Sequence, residues 1–159
     1  MSIRIGDSIP SVILTQMSGS GPQPINTADY FAGRKIVLFA VPGAFTPTCS
    51  AYHLPGFVEL AADFTERGVD AIACVAVNDV FVMHAWGKSA NAECIDMLAD
   101  GNAEFARALG LDRDSTAFGM GTRSQRYALV ADNGVVIQLM IEAPGEFRVS
   151  SAESVLATL

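Results

Sequence analysis

The chain has 159 residues, half of them hydrophobic, and a formal net charge of −7 from 17 acidic and 10 basic residues. This composition predicts one globular domain over residues 1–159, and the acidic balance argues against nucleic acid or an anionic membrane surface as the main partner. No apolar run approaches the roughly 20 residues of a membrane span or forms the core of a signal peptide, so we expect a cytoplasmic protein without membrane association.

The first predicted elements are short strands followed by one buried strand. A short apolar run, Ile9 to Leu14, precedes the stretch Ser18–Pro24, whose Gly and Pro residues predict a loop between short strands. The β-branched run at residues 36–41 predicts a buried strand, and Pro42-Gly43 ends it.

Thr46 and Pro47 predict the start of a helix, with Thr46 as the N-cap and Pro47 at the first helical position. Cys49 then falls in the first turn, where unpaired backbone N–H groups and the helix dipole favour a thiolate over a thiol. We also expect the Thr46 hydroxyl to lie close enough to hydrogen-bond to the sulfur. The alternative is that Cys49 is a small buried hydrophobe, as free cysteines usually are, but the Pro-Gly and Thr-Pro context favours a reactive cysteine.

The segment after Cys49 predicts a helix and then a second buried strand. Pro55 predicts a kink near residue 54, and Gly68 predicts the end of the helix. Residues 69–77 predict the strand, in which Cys74 is packed among apolar residues as an inert thiol. The predicted apolar face of the helix consists of residues at three- and four-residue steps: Leu54, Phe57, Val58, Ala61 and Phe64.

In the second half, Asn78-Asp79 is predicted to cap a helix at residues 80–90, whose His84 is packed or faces solvent unless it serves as a general base. Asp132-Asn133-Gly134 predicts a hairpin between strands at 127–131 and 135–141. The predicted apolar positions of the helix at 80–90 are Phe81, Val82, Ala85 and Trp86. The remaining predicted elements are a strand at 97–100, a helix at 103–109 closed by Gly110, and a final helix at 151–159.

This order of elements predicts an α/β protein with a central mixed sheet and helices on both faces. Part of the sheet is expected to be parallel, and its end to be the antiparallel hairpin. A thioredoxin-like fold is the natural candidate.

The three cysteines, Cys49, Cys74 and Cys94, form neither a disulfide framework nor a metal site. Their number is odd, and none of them forms a Cys-x-x-Cys pair. His53 lies one helical turn after Cys49, but a structural zinc ion needs four ligands. We therefore predict no bound metal.

A lone activated cysteine can attack a carbonyl carbon, a disulfide sulfur or a peroxide oxygen. A cysteine hydrolase needs a base with an orienting partner, and neither His53 nor His84 stands in a recognisable Cys-His motif. A thioredoxin-type reductase would carry a Cys-x-x-Cys pair, whereas Ser-Ala-Tyr follows Cys49. A peroxide reductase needs less: a thiolate, hydrogen-bond donors for the peroxide oxygens, and a cation near the leaving oxygen.

At this point a family resemblance becomes specific. Residues 42–50, Pro-Gly-Ala-Phe-Thr-Pro-Thr-Cys-Ser, and residues 53–57, His-Leu-Pro-Gly-Phe, resemble the peroxiredoxin signature in its type II or peroxiredoxin-5-like form. Residues 77–79, 85–88 and 123–127 also match that subfamily. The resemblance implies a thioredoxin-like fold and a thiol-dependent peroxidase that reduces hydrogen peroxide and organic hydroperoxides through a cysteine sulfenic acid, without a cofactor.

The resemblance also implies roles for single residues. Cys49 matches the peroxidatic cysteine, and Thr46 matches the threonine whose hydroxyl contacts the thiolate and the bound peroxide. Pro42 matches the proline that shields the pocket from water, and the N–H groups of Cys49 and Gly43 would add donors. Arg126 matches the arginine that stabilises the thiolate and donates to the peroxide. Arg123 is the alternative if the register is off by one turn.

The resemblance leaves the regeneration step open. Some members carry a resolving cysteine near the C-terminus, where this chain has Ser150. This departure favours a one-cysteine cycle closed by an external thiol, either glutathione with glutaredoxin or thioredoxin. Relatives of this type imply a homodimer that packs near the active-site loops. A redox sensor or chaperone-like protein, which is oxidised once and does not turn over, is the competing interpretation.

Overall fold

The structure is a computed structural model that describes residues 2–159. Most of its strands form one seven-stranded sheet in the order β2-β1-β5-β4-β3-β8-β9, and β6 and β7 form a separate two-stranded ribbon. The strands are β1 (Ile13–Ser18), β2 (Gly21–Asn26), β3 (Lys35–Ala40), β4 (Ala71–Ala76), β5 (Ile95–Ala99), β6 (Asp112–Asp114), β7 (Thr122–Ser124), β8 (Tyr127–Asp132) and β9 (Val135–Ile141). The α-helices are α1 (Thr27–Phe31), α2 (Leu54–Glu59), α3 (Ala61–Glu66), α4 (Val80–Ser89), α5 (Glu104–Leu109) and α6 (Ala152–Leu156).

The sheet is mixed, as the sequence predicted. Strands β3, β4 and β5 run parallel, while β8 and β1 pair with them in the antiparallel sense. Side chains of β3 alternate between two cores: Val37 and Phe39 pack with residues of α2, α3, α4 and α6, whereas Ile36 and Leu38 pack with residues of α1 and α5. Helices therefore cover both faces of the sheet. Among residues 2–159, no helix is both long and apolar enough to cross a bilayer.

The predicted loop at Ser18–Pro24 is wrong in most of its length. Only Gly19 and Ser20 form the turn, and β2 begins at Gly21 with Pro22 opposite Met17. The prolines are tolerated because β2 is the edge of the sheet, where a missing N–H leaves no neighbour without a partner. Helix α1 was not predicted either.

The kink predicted near residue 54 takes the form of a π turn. Residues Cys49–His53 are π-helical, and the N–H of Leu54 donates to the carbonyl of Cys49, five residues earlier. Pro55 has no N–H to donate, and its ring would crowd the carbonyl four residues earlier in a regular helix. The wider π turn, which begins at Cys49, avoids this clash. The helix breaks again at Leu60 and ends before Gly68, which has a φ of +86°, as predicted.

The apolar face predicted for α4 is only partly correct. Trp86 is buried as expected, but Phe81 is 64% exposed and Ala85 is exposed, while Val80 and Met83 are buried instead. At about 100° per residue, Phe81 lies roughly 140° around the helix from Trp86. The two aromatic residues therefore cannot share the face that packs on the sheet.

The predicted hairpin of β8 and β9 is confirmed, with Asn133 and Gly134 at φ of +50° and +77° in a two-residue turn. Asp79 caps α4 by accepting from the N–H of Val82, also as predicted. The pairing of β8 with β3 places Tyr127 opposite Ala40. Arg126 directly precedes Tyr127, so it lies beside the loop that leads from β3 to Cys49.

Candidate active site

Cys49 is completely buried at the start of the helix that follows β3. The helix begins at Pro47 as predicted, and the N–H of Ser50 donates to the carbonyl of Thr46 at 2.9 Å. The predicted capping role of the Thr46 side chain is wrong, because its hydroxyl donates to the Gly43 carbonyl and the Cys49 sulfur and accepts from no backbone N–H of residues 2–159. A sulfur at this position faces the positive end of the helix dipole. Because water does not reach it, a negative charge on the sulfur would have to be stabilised by protein groups.

The first such group is the Thr46 hydroxyl, whose Oγ1 lies 2.8 Å from the Cys49 Sγ and 2.7 Å from the carbonyl oxygen of Gly43. The hydroxyl has one proton for two acceptors. A thiolate takes that proton as a hydrogen bond. A thiol instead donates its own proton to Oγ1, and the hydroxyl then donates to Gly43. Thr46 therefore accommodates either protonation state of the sulfur without moving.

The second group is Arg126, whose Nη2 donates to the Cys49 Sγ at 3.0 Å. A guanidinium keeps its charge at any relevant pH, so this is a charge-assisted hydrogen bond. Arg123, the alternative arginine, instead donates to the carbonyls of Met120 and Val77 at 2.8 and 3.0 Å and ties two loops together. Of these two arginines, the structure places Arg126 on the sulfur.

His53 is the residue of the site that the sequence analysis considered only as a metal ligand or a hydrolase base. It is fully buried, and its Nδ1 lies 2.8 Å from the Arg126 Nη1. Arginine only donates, so Nδ1 is the acceptor, and Nε2–H donates to the carbonyl of Ser150 at 2.9 Å. Its spacing of four residues from Cys49 was the available signal, since residues one turn apart share a helix face.

The environment of His53 keeps its imidazole neutral. Burial, and then the charge of Arg126, lower the pKa of His53 to about 3. Both ring nitrogens already have partners, so His53 has no lone pair left for a metal ion or for accepting a proton from Cys49. The other histidine, His84, is exposed on α4. This geometry argues against the cysteine hydrolase.

Pro42 and Gly43 form the turn that carries Thr46. Gly43 is buried, and a Cβ at its position would lie 3.2 Å from the Thr46 Cγ2. A side chain there would push the hydroxyl away from the sulfur. Pro42 is half-buried and lines a cavity of about 220 Å³ with Arg126.

The other two cysteines lie in different environments. Cys74 is buried in the middle of β4, and burial together with the neighbouring Cys49 raises the pKa of its thiol. It is therefore the packed thiol that the sequence predicted. Cys94 is exposed, just before β5.

Replacing Arg126 with Gln is expected to slow alkylation of Cys49 by roughly tenfold or more at mildly acidic pH, because a charge-assisted hydrogen bond of about 1.5–3 kcal/mol is lost. The measurement is the rate of iodoacetamide modification, followed by mass spectrometry of the Cys49 peptide. Arg123→Gln removes the same charge and serves as the control, with a rate close to wild type. Equal slowing in both variants would mean that the contact between Arg126 and the sulfur has no special effect.

Comparison with known proteins places this geometry in a family. The redoxin family profile matches residues 4–156. Peroxiredoxin-2E-2, chloroplastic, from Oryza sativa subsp. japonica is 50% identical, over 99% of this chain and 73% of that protein. The hybrid peroxiredoxin hyPrx5 of Haemophilus influenzae is 41% identical, over 100% of this chain and 67% of that protein.

A solved structure extends the similarity to the fold. Reduced Prx3 from Vibrio vulnificus in complex with hydrogen peroxide has a TM-score of 0.96 and 54% identity, with 98% of both chains covered. The predicted thioredoxin-like fold with a central mixed sheet is confirmed by this match. The chain belongs to the redoxin family, as a type II, peroxiredoxin-5-like peroxiredoxin that reduces peroxides with a thiol.

Proposed function

We propose that Cys49 is the peroxidatic cysteine and that Thr46 and Arg126 are its catalytic partners. The observation that carries this assignment is the pair of hydrogen bonds to one buried sulfur, from the Thr46 Oγ1 at 2.8 Å and the Arg126 Nη2 at 3.0 Å. Hydrogen peroxide, present in the similar Vibrio vulnificus structure, is the smallest member of the substrate class. Organic hydroperoxides share the reacting O–O bond.

The reaction follows from this geometry. The Cys49 thiolate attacks the peroxide oxygen that carries hydrogen, and the S–O bond forms as the O–O bond breaks. Cys49 becomes a sulfenic acid, and the other oxygen leaves as an alkoxide or hydroxide that takes a proton from water. Negative charge moves from the sulfur to the leaving oxygen, so donors that reach both stabilise the transition state.

Arg126 and Thr46 are suited to follow that charge. Arg126 presents several N–H groups in one plane, of which Nη2 is on the sulfur. The Thr46 hydroxyl is already shared between two acceptors, and a peroxide oxygen replaces one of them. Pro42 and Gly43 complete the pocket as substrate-binding residues that hold this hydroxyl in place and limit the access of water.

For the return step we propose a one-cysteine cycle. An external thiol attacks the sulfenic acid, which releases water and forms a mixed disulfide on Cys49, and a second thiol then releases Cys49 as the thiol. Glutathione with glutaredoxin is the favoured reductant, and thioredoxin is the alternative. Three free thiols fit a reducing compartment, and we propose that the protein is located in the cytoplasm.

The positions of the other cysteines support this cycle. Cys94 precedes β5, whereas Cys49 follows β3, and the two strands run parallel with β4 between them. Five residues of β5 span about 16 Å, while a disulfide needs Cα atoms within about 7 Å. Cys74 is closer but is fully buried within a strand. Ser150 stands where some relatives have a resolving cysteine.

We also propose a homodimer that packs on exposed aromatic side chains near the active site. The candidate interface residues are Phe45, Phe81 and Phe118, which are 53%, 64% and 74% exposed. Phe45 follows the Pro42-Gly43 turn and lies 6.5 Å, ring to ring, from Trp86 of α4, the helix that also carries Phe81. Exposed apolar patches of this kind are typical of protein interfaces.

Cys49→Ser is expected to abolish peroxide consumption, because the attacking sulfur is lost. Cys74→Ala and Cys94→Ser are expected to keep most of the activity and serve as matched controls. The measurement is the initial rate of peroxide loss with glutathione and glutaredoxin, repeated with thioredoxin. A folded but inactive Cys74→Ala variant would show that the roles of the cysteines are assigned wrongly. A protein oxidised once without turnover would favour the sensor.

Oxidation with one equivalent of peroxide is expected to give a glutathione mixed disulfide on Cys49 when glutathione is present. Without it the sulfenic acid has no partner, so sulfinic acid is expected as excess peroxide is added. Peptide mass mapping under non-reducing conditions distinguishes the two products. A dominant bridge from Cys49 to Cys74 or Cys94 within one chain would replace the one-cysteine cycle and make thioredoxin the better candidate.

Light scattering of the purified protein is expected to give the mass of a dimer. Phe118→Ser is expected to shift the population towards the monomer, because it replaces a large exposed apolar side chain of the proposed interface with a hydroxyl. Ile5→Ser, at a residue that is 60% exposed near the N-terminus, is the control and is expected to leave the dimer intact. A monomeric wild-type protein at high concentration would contradict the proposed dimer.

A further inference from the structure

A buried carboxylate lies at the residue that follows β9, in the wall of the cavity that Pro42 and Arg126 also line. Glu142 is 5% exposed, and its N–H donates to the carbonyl of Arg126 at 3.0 Å. Acidic side chains are seldom buried this far without partners. The partners of this one come from a short segment, residues 142–150, which we call the strap.

The strap folds around the Glu142 carboxylate. Oε2 accepts from the N–H groups of Arg148, Val149 and Ser150 at 2.8, 2.9 and 2.8 Å, and from the Ser150 hydroxyl at 2.7 Å. Oε1 accepts from the N–H of Arg148 at 2.9 Å. Successive N–H groups that converge in this way form an anion-binding nest, and here the chain supplies its own anion. Burial by itself would raise the pKa of Glu142, but these hydrogen bonds hold it below its usual range.

The strap also reaches the groups that hold Arg126. The carbonyl of Ser150 accepts from the Nε2 of His53 at 2.9 Å. The ring of Phe147 lies 4.9 Å from the ring of His53 and 5.7 Å from the Arg126 guanidinium carbon. The nest sets the backbone at Ser150 and therefore the position of the carbonyl that His53 meets.

We propose that Glu142 is a positioning residue for Arg126 and acts through Ser150 and His53. The carbonyl of Ser150 requires a proton on the Nε2 of His53, and this leaves Nδ1 as an acceptor for Arg126. If the carbonyl moves away, the other tautomer becomes available, and its Nδ1–H would face an N–H of Arg126. Two donors repel each other, so the guanidinium would turn away from Cys49. The hydrogen bond that one ring nitrogen makes thus decides what the other can do.

This inference rests on the proposed role of Arg126 at the Cys49 sulfur. It adds a residue that makes no hydrogen bond to the sulfur. It also explains why an acidic residue is buried in a segment that contributes no side chain to the sulfur's hydrogen bonds.

The test compares Glu142→Gln with Glu146→Gln. Both remove one negative charge from the strap, but Glu146 is exposed and serves as the matched control. The readouts are the rate at which Cys49 reacts with hydrogen peroxide, followed by stopped flow well below each variant's melting temperature, and the ¹⁵N NMR shifts of the His53 ring, which report the tautomer. Glu142→Gln is expected to slow the reaction by about tenfold, the effect of one lost hydrogen bond of ordinary strength, and to lose the pure Nε2–H tautomer. Glu146→Gln is expected to match wild type in both.

Two further variants keep the proposal falsifiable if Glu142→Gln folds poorly. Glu142→Asp retains the charge with a shorter reach and is expected to recover part of the rate. Ser150→Ala keeps the carbonyl and loses only the hydroxyl contact, so the tautomer should persist. A Glu142→Gln variant with a wild-type rate and tautomer, or with a lower melting temperature as its sole change, would overturn the proposal. Failure of the wild-type protein to react would instead count against the role of Cys49, since Cys49→Ser runs in the same assay.

Discussion

The proposed reaction depends on stabilising a negative charge on a sulfur that water does not reach. Cys49 is fully buried, and an isolated charge in such a place is unfavourable by several kcal/mol. Thr46 and Arg126 supply the two hydrogen bonds that replace water. The helix start contributes its dipole. In the proposed reaction these groups are in place before a peroxide arrives, so they need little reorganisation.

The groups that stabilise the sulfur are themselves held by neutral polar contacts. A protonated His53 would place a second positive charge beside Arg126. The lowered pKa of His53 keeps its imidazole neutral and avoids this repulsion. A neutral imidazole accepts from Arg126 on one side and donates to Ser150 on the other. His53 thus orients the guanidinium without neutralising its positive charge, as a carboxylate partner would. That positive charge can then stabilise a negative charge on the sulfur.

Two irregular features of the backbone near Cys49 position side chains of the site. Pro55 forces a π turn over Cys49–His53, and this wider turn directs both Cys49 and His53 towards Arg126. Phe45 has a φ of +64°, a conformation that a bulky residue adopts only when the surroundings require it. It lies in the turn that presents Thr46. Strain in this turn and the irregular helix both occur within a few residues of the Cys49 sulfur.

The sequence by itself determined the features whose signals are local. The helix start before Cys49, the capping aspartate of α4 and the Asn-Gly hairpin turn depend on a few neighbouring residues, so short patterns predicted them correctly. Because each strand and helix was predicted from its own residues, their order along the chain also predicted the mixed sheet. The family resemblance then singled out Arg126, although no local pattern distinguishes it from Arg123.

The tertiary structure decided the features that depend on contacts between distant segments. The register of β8 against β3 brings Arg126 to a sulfur 77 residues earlier in the chain. The packing of Trp86 against the sheet decides which face of α4 is buried. Strand β2 tolerates prolines because no strand pairs with its outer edge. The partners of His53 come from the residue just before β8 and from the strap, 73 and 97 residues away. Such pairings arise from packing between elements, and a pattern read along the chain contains no distances between them.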